Sequence, residues 1–250
     1  MIILKTPEEM ELIAQASRVV AKCQKVLLSI LKPGMTTLAL DKITEECIRD
    51  LGAVPAFKGY RNYPSSLCAS VNEEVVHGIP GSRVLKDGDI VGLDIGAIVN
   101  GFYGDGAVTV PIGDVERKTQ LLISVTREAL QKGIEKAVVG NRLSDISFAI
   151  QTHVEGHGFS VVRDFVGHGI GRQLHEEPQV PNYGKAGQGP RLKAGMALAI
   201  EPMVNMGQSG VRVLADGWTA VTTDGSLSAH FEHTIAIEPA GPPRILTGGE

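Results

Sequence analysis

Residues 91–110, Val-Gly-Leu-Asp-Ile-Gly-Ala-Ile-Val-Asn-Gly-Phe-Tyr-Gly-Asp-Gly-Ala-Val-Thr-Val, leave the chain little freedom. Asn100-Gly101 suits a two-residue hairpin loop, whose central residues take positive φ, which Asn and Gly tolerate best. With that dipeptide at the tip, Val99 faces Phe102, Gly96 faces Asp105 and Asp94 faces Ala107. Directly opposed side chains share a face, as do side chains two apart on a strand. One face is then Val91, Leu93, Ile95, Ala97 and Val99 with Phe102, Val108 and Val110, and it is the core side. The other carries Asp94 and Asp105 as diagonal neighbours, roughly 7–8 Å apart at the backbone, above Gly96 and Ala107. Like charges at that spacing call for a cation between them. Taken alone, the stretch also fits a solvated acid face on an edge hairpin, the usual fate of a lone Asp pair.

Elsewhere the composition is ordinary for a folded chain of 250 residues, long enough for one large domain or two small ones. A net charge of −4 without a basic run gives no attraction to nucleic acid or anionic membranes. Cys23, Cys47 and Cys68 are odd in number and lack metal-binding spacing, which points to free thiols in a reducing compartment, hence the cytoplasm. The opening Met-Ile-Ile-Leu-Lys-Thr-Pro-Glu-Glu has no signal-peptide core, and no apolar run is long enough to span a bilayer.

Thr6-Pro7-Glu8-Glu9 predicts a capped helix start, and Leu12, Ile13, Ala16, Val19, Val20, Cys23, Leu27 and Ile30 continue at helical spacing. A second helix is predicted from about Thr37 to Leu51, a third from Lys118 to about Val139 and a fourth from Ser144 to about Glu155, with His153 on its apolar face as a core histidine. Phe57 to Cys68 reads as a loop whose Tyr60 and Tyr63 either line a pocket or cover the core, and Val71 to Pro80 as a strand and turn. A further hairpin is expected around Ala215-Asp216-Gly217-Trp218, and a frayed tail over Leu246 to Glu250.

The two halves echo each other. Leu85-Lys86-Asp87-Gly88, five residues and Asp94 match Leu192-Lys193-Ala194-Gly195, five residues and Glu201. His77-Gly78-Ile79 matches His168-Gly169-Ile170, and the shared order favours duplication over chance. Halves related by a pseudo-two-fold bring equivalent positions together, so Asp94 converges with Glu201 and Asp105 with Glu232, the latter sharing a strand face with His230 and Thr234. Four carboxylates with His168 as nitrogen donor are prohibitive to bury without metal, whereas two divalent cations neutralise them. His175, in the glycine-rich Gly-His-Gly-Ile-Gly-Arg-Gln-Leu-His-Glu-Glu-Pro, joins the candidate site.

These residues resemble the type I methionine aminopeptidases in their short prokaryotic form. The resemblance rests on Asn-Glu-Glu-Val-Val-His-Gly-Ile-Pro (72–80), Asp94 with Asp105, Gly-His-Gly-Ile-Gly-Arg (167–172), Leu-His-Glu-Glu-Pro (174–178), Ile-Glu-Pro-Met (200–203) and Phe-Glu-His-Thr (231–234), and runs from about residue 3 to 240. It implies an α+β "pita-bread" fold, a curved antiparallel sheet backed by helices with internal pseudo-two-fold symmetry. It also implies a single catalytic domain over 1–250, with pseudo-equivalent halves of about 1–112 and 113–250. Position by position, Asp94 would chelate one metal, Asp105 and Glu232 bridge both, and Glu201 with His168 hold the other. Glu201 would also move the proton, His175 stabilise the oxyanion and His77 bond around the scissile amide.

The implied reaction is removal of the initiator methionine from nascent polypeptides with a small second residue, a step of protein maturation using Fe(II), Mn(II) or Co(II). The methionine pocket would be Tyr60, Tyr63, Cys68 and Trp218, with Phe57 and Leu174 as neighbours. The resemblance further implies a cytoplasmic monomer that meets the ribosome transiently and binds no specific nucleic acid or membrane. Two rivals stand beside this reading: an X-Pro peptidase on the same fold, and a metal-free binding protein that has lost catalysis.

Overall fold

Thr6 opens the first helix, α1 (Pro7–Ile30), through a reciprocal cap: its Oγ1 accepts from Glu9 N at 3.2 Å, and the Glu9 carboxylate accepts from Thr6 N at 3.1 Å. The computed structural model describes residues 1–248. α1 and α2 (Thr37–Asp50) lay Val20, Cys23, Leu27, Leu40 and Ile48 on the hairpin's Val91, Leu93, Ile95 and Ala97, forming one core. A second core forms where α3 (Arg117–Ile134) and α4 (Leu143–Gly156) meet Leu198, Ile200, Val204 and Ile235. α3 stops five residues before the expected Val139. There Ala137 turns into this second core, and Gly140 takes a φ of 97°.

The hairpin pairs Ile90–Val99 with Phe102–Pro111 in the register set by the Asn100-Gly101 turn, Asp94 facing Ala107 and Gly96 facing Asp105. Asn100 and Gly101 have φ of 51° and 78°. It is not an edge: Leu67–Val71 pairs with the outer side of the first strand, placing Cys68 opposite Asp94. The strand thus begins at Leu67, inside the stretch to Cys68 expected as a loop and four residues before the expected start at Val71. All five residues are buried, so it lacks the alternation by which half-buried strands are recognised.

In the other half, Ala197–Ile200 pairs with Gly167–Gly169 on one side and with His233–Ala236 on the other. Pro202 has no N–H to donate, and the ladder breaks at Glu201-Pro202 before resuming as Met203–Asn205 against Ser228–His230. Glu201 and Glu232 sit in the two gaps. The halves are laced reciprocally: Thr234 Oγ1 accepts from Asp105 N at 3.1 Å and donates to Asp105 O at 2.8 Å. Equivalently placed, Glu232 N donates to Ala107 O at 2.9 Å and Ala107 N to Glu232 O at 3.4 Å. The strand ladders among the described residues are all antiparallel, giving the helix-backed antiparallel architecture expected of the pita-bread fold.

Three expectations need correction. His77 and His168 are not ladder equivalents. His168 faces Ala199, two residues before Glu201, and its counterpart facing Gly92, two before Asp94, is Ser70. His77 lies one strand further out, where Gly78 O accepts from Ala69 N at 2.9 Å. His153 is not a core residue but lies at the α3–α4 seam, its Nε2 3.2 Å from Glu128 Oε2. Leu246 and Thr247 are not frayed. Arg244–Ile245 adds a strand to His233–Ala236, Leu246 is buried, and Thr247 Oγ1 lies 2.8 Å from His233 Nδ1. Gly249 and Glu250, the last two residues of the expected tail, lie outside the described residues.

Candidate metal centre

Asp94, Asp105, His168, Glu201 and Glu232 line one cavity of about 290 Å³. Asp94 and Asp105 project from the hairpin, His168 from the centre of Gly167–Gly169, and Glu201 and Glu232 from the two ladder gaps. Ligand atoms of Asp105, His168 and Glu232 lie within 4.8 Å of one another. The His168 Nδ1–H donates to Gly169 O at 2.9 Å, which turns the Nε2 lone pair toward the acids. Nε2 stands 3.5 Å from Glu201 Oε1 and 3.9 Å from Asp105 Oδ2.

Burial dominates the electrostatics. Desolvation, then the charges of Asp105 and Glu201, holds the Asp94 carboxyl well above its ordinary range, and desolvation followed by Asp105 does the same for Glu201 and Glu232. Asp105 is pushed up to about 7 by burial, against the pull of the Gly106 N–H and Asp94. Burial drives the His168 imidazole down to about 3, so it stays neutral and able to ligate. Asp94 Oδ1, Asp105 Oδ1 and Glu232 Oε1 are buried without a hydrogen-bond partner among the described residues. Orphaned carboxylate lone pairs beside a neutral imidazole are the donor set of a divalent cation, and the residues fit one.

The remaining wall is apolar. Gly96 makes room for Phe57, since a Cβ there would stand 2.5 Å from the Phe57 ring. Cys68 is buried, and its thiol is held up first by desolvation and then by Asp94, so it presents a neutral surface. Tyr63 is fixed with its hydroxyl 3.0 Å from Gly78 O and 3.2 Å from Leu67 O, and its ring meets Trp218 edge-on at 5.0 Å. His77, at a φ of 60°, stands edge-on to Phe165 at 5.4 Å and to Trp218 at 6.1 Å. Desolvation, then His175, lowers the His77 pKa to about 4. His175 Nδ1 is 2.8 Å from the Tyr60 hydroxyl, and its ring lies 4.3 Å from that of His168.

Each residue singled out from the sequence, Phe57 and Leu174 included, lines this cavity. Arg61 and Phe165 also line it and were missed. Arg61 is a surface residue in the left-handed region at a φ of 47°, and nothing in its local sequence marks it. His230 had a signal, its shared alternation with Glu232, but was given no role. It is buried, with Nε2 unpartnered among the described residues and 3.7 Å from Glu201 Oε2.

The chain matches the model of Metallopeptidase family M24 over residues 11–239. It is 56% identical over 241 residues to methionine aminopeptidase 1 of Bacillus subtilis, covering 96% of this chain and 97% of that one. With methionine aminopeptidase 1 of Mycobacterium tuberculosis it shares 47% identity, over 96% of this chain and 93% of the relative. The crystal structure of methionine aminopeptidase from Thermotoga maritima superposes with a TM-score of 0.98 at 49% identity, over 100% of both chains. A prolidase from Pyrococcus furiosus shares the fold at a TM-score of 0.81 and 22% identity, matching 99% of this chain to 66% of that one.

Proposed function

Since the chain belongs to metallopeptidase family M24, we propose that it hydrolyses the first peptide bond of polypeptides that begin with methionine and carry a small second residue. The observation that carries this function is the meeting of four carboxyls, those of Asp105 and Glu232 buried and those of Asp94 and Glu201 partly so, and a neutral imidazole with an apolar pocket in one cavity of about 290 Å³. The donors suit two divalent cations, Fe(II), Mn(II) or Co(II), which Asp94, Asp105, His168, Glu201 and Glu232 would hold between them. Bound there, such ions supply an activated water and an anchor for the substrate's free amine.

The protein's own groups do the rest. The methionine side chain lies among Tyr63, Cys68, Trp218, Phe57, Tyr60 and Leu174, where burial of apolar surface holds it. The Glu201 carboxylate, whose affinity for a proton is raised by burial, accepts the proton of the attacking water and delivers it to the leaving amine. Tyr60 donates its O–H to His175 Nδ1, so the Nε2–H of His175 is left to stabilise the developing oxyanion. His77 bonds around the scissile amide. The reciprocal bonds between Asp105 and Thr234 and between Glu232 and Ala107 support one catalytic unit over 1–250, with halves of about 1–112 and 113–250.

Nascent chains met transiently at the ribosome would be the substrates, and initiator methionine removal the role. We assign the work to a cytoplasmic monomer. Among the described residues no helix is long and apolar enough to cross a membrane. Release of methionine from Met-Ala-Ser, after chelation and readdition of Fe(II), Mn(II) or Co(II), tests the proposal. Asp105→Asn should lower the rate by about 10³-fold or more, as the loss of a bridging ligand implies. Cleavage of Ala-Pro with no cleavage of Met-Ala-Ser would point instead to an X-Pro peptidase. Failure to bind any of the three metals would support the binding-protein alternative.

A further inference from the structure

Lys5 is a buried lysine with no part in the chemistry above. Its side chain is 3% exposed, and its Nζ lies 2.5 Å from Glu176 Oε2, a carboxylate that is itself 7% exposed. Nζ also donates to Ile3 O at 3.1 Å, and Lys5 N to Gly195 O at 2.7 Å, so the lysine is pinned at its backbone as well as at its ammonium. The other Glu176 oxygen, Oε1, accepts from Gln173 N at 3.2 Å, which folds the carboxylate into the turn between Gly171 and His175. Gly171 is needed for that arrangement, because a Cβ there would overlap Lys5 Cε and stand 2.7 Å from Glu176 Oε1. The turn is completed by Gly171 N donating to Gln173 O at 3.1 Å and Tyr103 N to Gly171 O at 2.9 Å. It is packed around an ion pair in place of an apolar plug, and its last residue is His175.

A buried ion pair is a weak source of net stability, because desolvating both charges offsets their attraction. What such a pair does well is fix one geometry, since a carboxylate and an ammonium satisfy each other only at short range and from definite directions. We infer that Lys5 is a positioning residue for the hydrolysis, acting through Glu176 to set the turn 171–175 that presents His175. The inference rests on the oxyanion role given to His175 above.

The test uses the full chain loaded with Mn(II) and the Met-Ala-Ser substrate. Lys5→Met should lower kcat by about 10- to 100-fold while KM and the calorimetric affinity for Mn(II) stay within about twofold, the pattern of a lost transition-state contact. Because Lys5→Met alone strands a buried carboxylate, the double variant Lys5→Met/Glu176→Gln is measured beside it. That variant should recover the melting temperature but not kcat. In a His175→Ala background, Lys5→Met should change kcat by less than about twofold, since residues acting through one another are not additive. Equal losses with and without His175, or recovery of kcat in the double variant, would overturn the role of Lys5. An unchanged kcat in His175→Ala alone would instead overturn the role of His175.

Discussion

Replacing Thr234 by valine should loosen the seam between the halves at one point. Thr234 is fully buried, and its hydroxyl alone satisfies both backbone groups of Asp105, accepting the N–H at 3.1 Å and donating to the carbonyl at 2.8 Å. Valine keeps the shape and leaves a buried N–H and a buried C=O unpaired, each costing about 1–3 kcal/mol. Allowing for relaxation, Thr234→Val should destabilise the metal-free protein by about 2–4 kcal/mol. At roughly 3 °C per kcal/mol for a chain of this size, the melting temperature should fall by about 6–12 °C. Thr234→Ser is the control. It retains the hydroxyl and loses one buried methyl, worth about 1 kcal/mol. Guanidinium unfolding of the metal-free proteins measures both. A serine variant as unstable as the valine variant would show that the methyl, not the hydroxyl, holds the seam, and losses below about 0.5 kcal/mol in both would show that it is held elsewhere.

The raised carboxyls make pH a second lever. Asp105 has a folded pKa of about 7 against an ordinary value of 3.8, so between those values the folded state holds a proton that the unfolded state has lost. The Asp105 contribution to the stability of the metal-free protein, read as its difference from Asp105→Asn at each pH, should therefore fall as pH rises from about 4 to 7, while the lowered His77 and His168 act with the opposite sign in both proteins. Mn(II) affinity should rise over the same interval, because binding expels that proton. Melting curves of the two metal-free proteins and calorimetry across the range check both signs, and a stability relative to Asp105→Asn that rises toward pH 7 would contradict them. In the pocket, Gly96→Ala would place a methyl 2.5 Å from the Phe57 ring and 2.9 Å from Ala56 Cβ, driving the ring into the methionine site. KM for Met-Ala-Ser should rise by about tenfold, equivalent to about 1.4 kcal/mol of overpacking, with Mn(II) affinity unchanged. An unchanged KM would mean that Phe57 does not border the substrate.

Much of this was legible because hairpin geometry is local. Asn100-Gly101 sets the register and parity sets the faces, so the diagonal placement of Asp94 and Asp105 needed no tertiary information. Glu201 and Glu232 followed from the order of the repeated segments. The same method failed for His77 and His168, because a three-residue match does not reveal which strand lies beside which: His168 pairs with Ala199, whereas His77 lies just past the end of Glu74–Val76 and outside any ladder. Leu67–Val71 was hidden by burial of every residue, and Leu246 and Thr247 by burial that exists only once Arg244–Ile245 has docked. Arg61 reaches the cavity through a backbone conformation that its side chain does not encode. Lys5 was invisible for a different reason: its carboxylate partner is 171 residues away.

The spread of the acid cluster along the chain has a consequence for biosynthesis. A ribosome making this protein delivers Asp94 and Asp105 early, His168 and Glu201 much later, and Glu232 last. Until that final carboxylate is translated and its strand has paired with Ala107, the first hairpin can fold but has nothing to close over it. A truncated product or a stalled intermediate would carry part of the donor set and none of the enclosed chamber. Hydrolytic competence is in this sense a completion signal, available to the cell only from chains that have been finished and folded across their whole length.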